Sequence, residues 1–204
     1  MKSLNFAGIA AAVFLAASTV ASAAPTLSFS GLNQAQIEAL TPVANIAPTS
    51  TTGNYFNNVI GNQFNGGGGL IARSPWEGTS HQNTDGVFSS VQGGSSATFE
   101  FDKVQTGLSM IWGSPDSYND LVITLLGGGG TYTINGNDVK GPSGILASLV
   151  GVTNVTFQKI VLSSGSNAFE FANLKTTPVP IPAGALLLVT AVGGLALVRR
   201  RKSA

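Results

Sequence analysis

Few residues of this chain have the chemistry needed for catalysis, and they form no complete catalytic motif. The sequence contains one histidine, His81, no cysteine and no Gly-x-Ser-x-Gly segment. A nucleophile activated by a neighbouring base is therefore not predicted, and zinc would lack its usual ligands. His81 lies in the polar stretch 78–86 and is expected to be a solvated loop residue. We expect no catalytic residue and no enzyme activity.

Carboxylate chemistry is the alternative, because glycoside hydrolysis needs only two facing carboxyl groups, one of them with a raised pKa. The carboxylates available for such a pair are Glu77, Glu100, Asp116, Asp120 and Glu170. Glu100 and Glu170 alternate with aromatic residues, a pattern that is also typical of the solvent-facing side of a strand. The sequence therefore predicts that Glu100 and Glu170 face solvent. A secreted carbohydrate-active enzyme is the alternative hypothesis.

Oxygen-rich loops indicate a second kind of site. Asp116, Asn119 and Asp120 share one segment, and residues 135–138 form another. Carboxylate and amide oxygens suit Ca²⁺, and Asp116 and Asp120 are the preferred ligands. The spacing differs from Asp-x-Asp-x-Asp-Gly, and the same residues are ordinary turn formers. Calcium is thus the one cofactor that the sequence suggests, beside the simpler expectation of none.

Aromatic residues indicate a third kind of site, a surface on which sugar rings could stack. Trp112 is in register with Leu108 and Met110 and is predicted to lie in the core. Trp76 and Tyr118 are predicted to be exposed and, with Asn119, to be the residues that contact a glycan.

The region between the two chain ends is poor in charge. Charged residues make up 9% of the chain, against about 25% in typical proteins. Between residues 24 and 176 there are five basic and nine acidic residues. An acidic region without a basic patch excludes nucleic acid as the expected partner, because that binding depends on Lys and Arg.

Apolar and polar residues alternate from residue 86 onward, which predicts short β-strands. Asn135-Gly136 is predicted to form a two-residue hairpin turn, Asn33 to cap a brief helix, and 145–150 to be either helix or strand. The predicted strands contain Ala97–Phe101, Leu108–Trp112, Leu121–Leu125, Tyr132–Ile134, Val155–Phe157, Ile160–Leu162 and Ala168–Phe171. The fold class is therefore predicted as all-β, an antiparallel sandwich or jelly roll covering 24–176 and best defined over about 73–174.

Both chain ends are predicted to be targeting segments. Lys2, an apolar run and the small residues Ala21 and Ala23 indicate a cleavable signal peptide at 1–23. At the other end, residues 181–198 would span about 27 Å as a helix, close to the bilayer core of about 30 Å. The basic block 199–202 would stop the helix and hold the C-terminus inside the cytoplasm.

The C-terminal segment 177–204 resembles the sorting signals of the PEP-CTERM group of bacterial surface proteins, in its Val-Pro-x-Pro-Ala variant. Ile181 stands where the commoner form has Glu. The residues that carry this resemblance are Val179, Pro180, Ile181, Pro182, Ala183, Arg199, Arg200 and Arg201. The resemblance implies processing by an exosortase-type enzyme, whereas an ordinary permanent membrane anchor is the alternative.

A second resemblance lies in the β region. Trp112-Gly113-Ser114-Pro115-Asp116-Ser117-Tyr118-Asn119 is similar to a Trp-Gly-Ser-x-Asp-x-Tyr-Asn box of exosortase-sorted proteins. The segment 168–173 is similar to their last strand, with Ala172 in place of Asp, and 73–79 is similar to the segment upstream of that domain.

The two resemblances imply a non-catalytic protein exported by the secretion machinery of a Gram-negative-type bacterium. It would be held transiently in the inner membrane, N-terminus out and C-terminus in. An exosortase would then release it to the cell surface or extracellular matrix, where exopolysaccharide is the expected partner. A permanently anchored adhesin is a further alternative.

Overall fold

The alternating segments of the sequence fold as strands in the structure, a computed structural model that describes residues 24–142 and 146–180. Strands account for 52% of the described residues and helix for 5%, which confirms the all-β antiparallel prediction. The strands are β1 (Thr26–Leu32), β2 (Ser50–Thr52), β3 (Tyr55–Val59), β4 (Gln63–Phe64), β5 (Leu70–Ala72), β6 (Phe88–Val91), β7 (Ser95–Gly113), β8 (Asn119–Leu125), β9 (Thr131–Asn135), β10 (Ala147–Thr153), β11 (Phe157–Ser164) and β12 (Phe169–Pro178).

One short helix, α1 (Gln34–Glu38), follows β1. Its first turn is closed by a capping box, in which the Asn33 side chain accepts a hydrogen bond from the Gln36 N–H at 2.9 Å. The Gln36 side chain in turn accepts from the Asn33 N–H at 2.9 Å. The prediction that Asn33 caps a brief helix is confirmed.

The longest strand, β7, changes its neighbours halfway along its 19 residues. Its first half pairs with β2 on one side and β11 on the other. Its second half pairs with β10 and β12. The two segments that the sequence suggested as separate strands, around Phe99 and around Met110, are thus parts of one strand.

The remaining pairings extend the sheet on both sides in the order β3-β6-β12-β7-β11-β8-β9, with β1 added to β10. The hairpin of β4 and β5 is separate and pairs only with itself. The segment that could have been helix or strand contributes β10, from Ala147 to Thr153.

Two buried apolar clusters lie on opposite sides of β7 and β12. Trp112, Phe169 and Phe171 belong to the larger cluster, whereas Ile111 and Ala172, their neighbours in sequence, belong to the second. Because successive side chains of a strand point to opposite faces, this part of the sheet is covered on both faces. The second cover is the N-terminal part of the chain, which contributes Ile37, Trp76 and Phe88.

The predicted Asn135-Gly136 hairpin turn is wrong. Residues Gly136–Asp138 form one turn of 3₁₀ helix instead. The Asn135 side chain accepts from the Asn137 N–H at 3.1 Å, and the Asp138 carboxylate accepts from the Asn135 N–H at 2.8 Å. Capping by these two side chains favours the helical turn over a return strand.

Candidate functional site

A cleft of about 460 Å³ lies at the edge where β5, the β7–β8 loop and the start of β12 meet. Ligand pockets of proteins typically enclose about 300–1,000 Å³, so its size is suited to a small molecule or a short oligomer. The polar side chains that line it include Arg73, Gln92, Asp116, Tyr118, Asn167 and Glu170.

Glu170 is the most buried charged residue of the cleft, with 5% of its surface exposed. Its Oε1 accepts a hydrogen bond from the Arg73 N–H at 2.9 Å. Its Oε2 has no hydrogen-bond partner among the described residues. Burial raises the pKa of Glu170 to about 8, while the Arg73 N–H acts in the opposite direction and the nearby Asp116 carboxylate adds to the rise. The carboxyl group is therefore mostly protonated at neutral pH.

The prediction that Glu170 faces solvent is wrong, and the fold explains why. Glu170 points away from the Phe169–Phe171 side of β12, as alternation requires, but the second apolar cluster covers that other face. Glu100, the other strand carboxylate, has a 56% exposed side chain and pairs with Lys159 at 3.2 Å. The solvent-facing prediction for Glu100 is confirmed.

Asp116 and Tyr118 form a hydrogen-bonded pair on the β7–β8 loop. The Tyr118 hydroxyl donates to Asp116 Oδ2 at 2.6 Å, and Asn167 Nδ2 donates to the same hydroxyl at 3.3 Å. Partial burial raises the pKa of Tyr118, and the bond to Asp116 raises it further. Lys140 Nζ lies 3.6 Å from Asp116 Oδ1. Tyr118 is half-buried and lines the cleft.

The loop between Trp112 and Tyr118 begins with a strained backbone conformation. Ser114 adopts a φ of 45°, a left-handed conformation that side-chain-bearing residues seldom take. Its N–H donates to the Leu146 carbonyl at 2.8 Å. Strained residues of this kind often occur at functional sites, where the surrounding structure holds them in place.

Gly136 holds the same loop from the other side, and this close approach can be tested. A Cβ at position 136 would lie 2.2 Å from the Asp116 carbonyl oxygen and 2.6 Å from its nitrogen. Since backbone atoms cannot rotate away, Gly136→Ala is expected to destabilise the protein by about 1–3 kcal/mol. Chemical denaturation measures this loss. Gly66→Ala is the control, because nothing lies within 4 Å of its added Cβ; equal stability of the two variants would contradict the prediction.

Asn119 lies apart from the cleft and is fully buried. Its Oδ1 accepts from the Ser164 hydroxyl at 2.8 Å, and its Nδ2 donates to the Ala168 carbonyl at 3.4 Å. The prediction that Asn119 contacts a glycan is wrong, since the residue is buried and both ends of its amide bind the protein, at Ser164 in β11 and at Ala168 just before β12.

The predicted calcium ligands bind protein donors. Asp120 Oδ1 accepts from Asn135 Nδ2 at 2.8 Å, whereas Asp116 bonds to Tyr118. Within residues 24–142 and 146–180, no group of three or more His, Asp or Glu side chains is placed to hold a metal ion. Calcium at Asp116 and Asp120 stays a prediction.

Trp76 is buried, so its predicted role as an exposed sugar contact is wrong. Its ring is fully covered, and its indole N–H donates to the Val87 carbonyl at 3.0 Å. The loop that follows wraps over the ring, and His81 packs edge-on against it at a centroid distance of 5.6 Å. Trp112, predicted as core, is fully buried, which confirms that prediction.

His81 is anchored rather than freely solvated. Its Nδ1 lies 2.8 Å from Asp85 Oδ1, and its Nε2 lies 3.1 Å from the Glu38 carbonyl oxygen. The bond to Asp85 raises the pKa of His81. These contacts tie the loop of Trp76 to α1.

The start of the predicted sorting segment is continuous with the sheet. β12 ends at Pro178, and the Val179 N–H still donates to the Val104 carbonyl at 2.8 Å. No helix in the described part of the chain is long and apolar enough to cross a bilayer. Pro180 is the last described residue of the sorting segment. The remaining predicted processing residues lie outside the described residues: Ala21, Ala23, Ile181, Pro182, Ala183, Arg199, Arg200 and Arg201.

Comparison of the chain with protein-family models, with curated proteins and with solved structures finds no match.

Proposed function

We propose that this chain is a non-catalytic, exported surface or extracellular-matrix protein that binds exopolysaccharide through the Glu170 cleft. The observation that carries the proposal is the meeting of three segments at this cleft. Arg73, Asp116 and Glu170 all line it, and each comes from a different one of the segments that resemble exosortase-sorted surface proteins.

Two of these segments, 112–119 and 168–173, are also joined beneath the cleft. The rings of Trp112 and Phe169 stack at a centroid distance of 4.3 Å and an angle of 19°. Asn119 bonds to the Ala168 carbonyl. The residue types that define the resemblance thus support one local structure, and Arg73, Asp116, Tyr118 and Glu170 are among those that line the cleft itself.

The lining suits a sugar ligand. Amide, hydroxyl and carboxyl groups can exchange hydrogen bonds with sugar hydroxyls. Tyr118, half-buried at the cleft, adds a side chain with an apolar ring and a polar edge. The cleft combines few charges with several neutral donors and acceptors, as expected for an uncharged polysaccharide segment.

The finer architecture is part of the proposal. We infer an antiparallel β-sandwich of the jelly-roll kind, supported by the change of partners halfway along β7. Strands that pass from one sheet to another form the corners of such folds.

Delivery follows from the chain ends. The secretion machinery would export the chain, the tail would hold it transiently in the inner membrane, and an exosortase-type enzyme would release it to the cell surface or matrix.

The test of this delivery route is a chain that stops after Pro178, which keeps all of β12. We expect its envelope-associated fraction to fall and its amount in the medium to rise. Unchanged surface retention would contradict sorting, and an intact mass that still includes residues 199–202 would favour the anchored adhesin.

Exopolysaccharide binding is tested separately with the mature protein and the polysaccharide of its host. Asp116→Asn removes the acceptor charge beside Tyr118 and should weaken retention on immobilised polysaccharide by about tenfold, as loss of a charged hydrogen bond does. Glu100→Gln, an exposed carboxylate outside the cleft, is the matched control. No retention of the wild-type protein would exclude the binding function.

One observation favours a second function. The protonated Glu170 and the Asp116 carboxylate line one cleft, as a proton donor and a base do in glycosidases. Release of new reducing ends from the polysaccharide by wild-type protein, but not by Glu170→Gln, would favour hydrolysis over binding alone.

A further inference from the structure

We infer that the inner wall of this cleft binds an acetyl group carried by the sugar, with the carbonyl oxygen accepting a hydrogen bond from the Glu170 carboxyl and the methyl group packing on Ala72 and Ala168. The inference rests on the proposed polysaccharide-binding function and specifies its ligand. The ligand class is an N-acetylated or O-acetylated saccharide.

The hydrogen-bond donor is the first support. A protonated carboxyl group has one O–H to donate, and Oε2 of Glu170 is buried without a partner among the described residues. A buried polar group without a hydrogen-bond partner is unfavourable. A ligand oxygen that bonds to Oε2 would therefore gain more binding free energy than one that bonds to an exposed group at the rim of the cleft.

The charges around Glu170 favour a neutral acceptor. The ionisable groups near it are the half-exposed Arg73, Asp116 and Tyr118. Arg73 is already paired with Glu77 at 3.1 Å, and Lys140 lies near Asp116. The Asp116 charge acts unfavourably on a negative Glu170, and it would act in the same way on the carboxylate of a uronic acid. A carbonyl oxygen accepts the hydrogen bond without adding charge.

The apolar part of the wall is the second support. Ala72 and Ala168 flank the cleft with 2% and 5% of their surface exposed, and Leu70 is 46% exposed beside them. An acetyl group carries a methyl next to its carbonyl, which matches small apolar side chains next to a carboxyl donor. A sugar hydroxyl would satisfy only the donor.

Access to Oε2 requires a local displacement, because this oxygen is covered; we assign the displacement to β5, which leads directly into Arg73 beside Glu170. The β4–β5 hairpin pairs only with itself, so its displacement breaks no pairing of the main sheet. The hydrogen bond from the Arg73 N–H to Oε1 is the contact between Glu170 and the end of the β4–β5 hairpin.

The experiment measures binding of triacetylchitotriose and of cellotriose, which has hydroxyl groups in place of the acetamido groups, to the mature protein. At pH 6 we expect triacetylchitotriose to bind at least about tenfold more tightly, the usual effect of a group that fills a fitted pocket. At pH 9 the wild-type protein should lose about tenfold in affinity, because deprotonation removes the donor.

Glu170→Gln provides the critical comparison, since its amide donates at every pH. We expect this variant to bind triacetylchitotriose equally at pH 6 and pH 9, while Glu100→Gln keeps the wild-type loss. Equal binding of the two sugars, or a pH dependence that survives in Glu170→Gln, overturns the acetyl inference. If the wild-type protein also fails to bind the host polysaccharide, the proposed function itself falls; if it binds that polysaccharide but not triacetylchitotriose, only the acetyl inference falls.

Discussion

Glu170→Gln is expected to abolish a loss of stability that the wild-type protein undergoes between about pH 4.5 and pH 8. The pKa of Glu170 is raised by burial from 4.5 to about 8. Below pH 4.5 both the folded and the unfolded chain hold the proton. Between the two values only the folded chain holds it, so stability falls as pH rises, and it levels off above the folded pKa. At about 1.4 kcal/mol per pH unit, this interval corresponds to about 5 kcal/mol.

Urea denaturation of the wild type and Glu170→Gln at half-unit steps from pH 4 to pH 9 measures this effect. The difference between the two proteins isolates Glu170, because His81, whose pKa is also raised, is present in both. Glu100→Gln should follow the wild-type curve. Parallel curves for the wild type and Glu170→Gln would show that the carboxyl group is ionised in the folded protein.

Trp112→Ala is expected to lower the free energy of unfolding by about 3–5 kcal/mol, the usual cost of truncating a buried Trp. Trp112 is fully buried and stacks on Phe169. Its removal leaves a cavity in the larger apolar cluster, which packs against β7 and β12, the two strands that hold the Ser114 loop and Glu170 in place. The measurement is the denaturation midpoint at pH 6.

Trp112→Phe is the informative companion to this variant. The indole N–H of Trp112 is buried without a hydrogen-bond partner among the described residues, so Phe loses volume but no hydrogen bond. We expect Trp112→Phe to cost less than half as much as Trp112→Ala. An equal loss in the two variants would contradict the view that an aromatic ring stacked on Phe169 stabilises this position.

Local sequence patterns predicted the strands well, since alternation around Phe99, Leu121 and Phe171 reflects one buried face that each strand carries by itself. They did not predict that Glu170 is buried. That outcome depends on a second layer from residues far away in sequence, which include Ile37 and Phe88. No pattern within residues 168–173 records that layer.

The same layer explains the error at Trp76. The segment 24–88 has little periodicity, so Trp76 was predicted to be exposed. The segment instead folds over the Ile111 and Ala172 face of β7 and β12 and buries Trp76. The presence of Ile37, Trp76 and Phe88 in this segment could have predicted its burial. Large apolar residues in a segment without periodicity indicate that the segment packs against another part of the fold. The hairpin error at Asn135 was of a local kind: Asp138, three residues after Asn135, indicated a capping box.

The interior position of β12 determines how the fold would resist a pulling force on the C-terminal segment. The strand lies between β6 and β7, is paired along β7 as far as Pro178, and continues into Val179, still bonded to Val104. A pull on the chain beyond Val179 would therefore act lengthwise on an interior strand and would be resisted in shear by a row of hydrogen bonds. Glu170 lies in that same strand, eight residues before Pro178. Tension on the chain beyond Val179 would therefore reach the cleft along β12, the strand that carries Glu170, and would be shared with β7 through their hydrogen bonds.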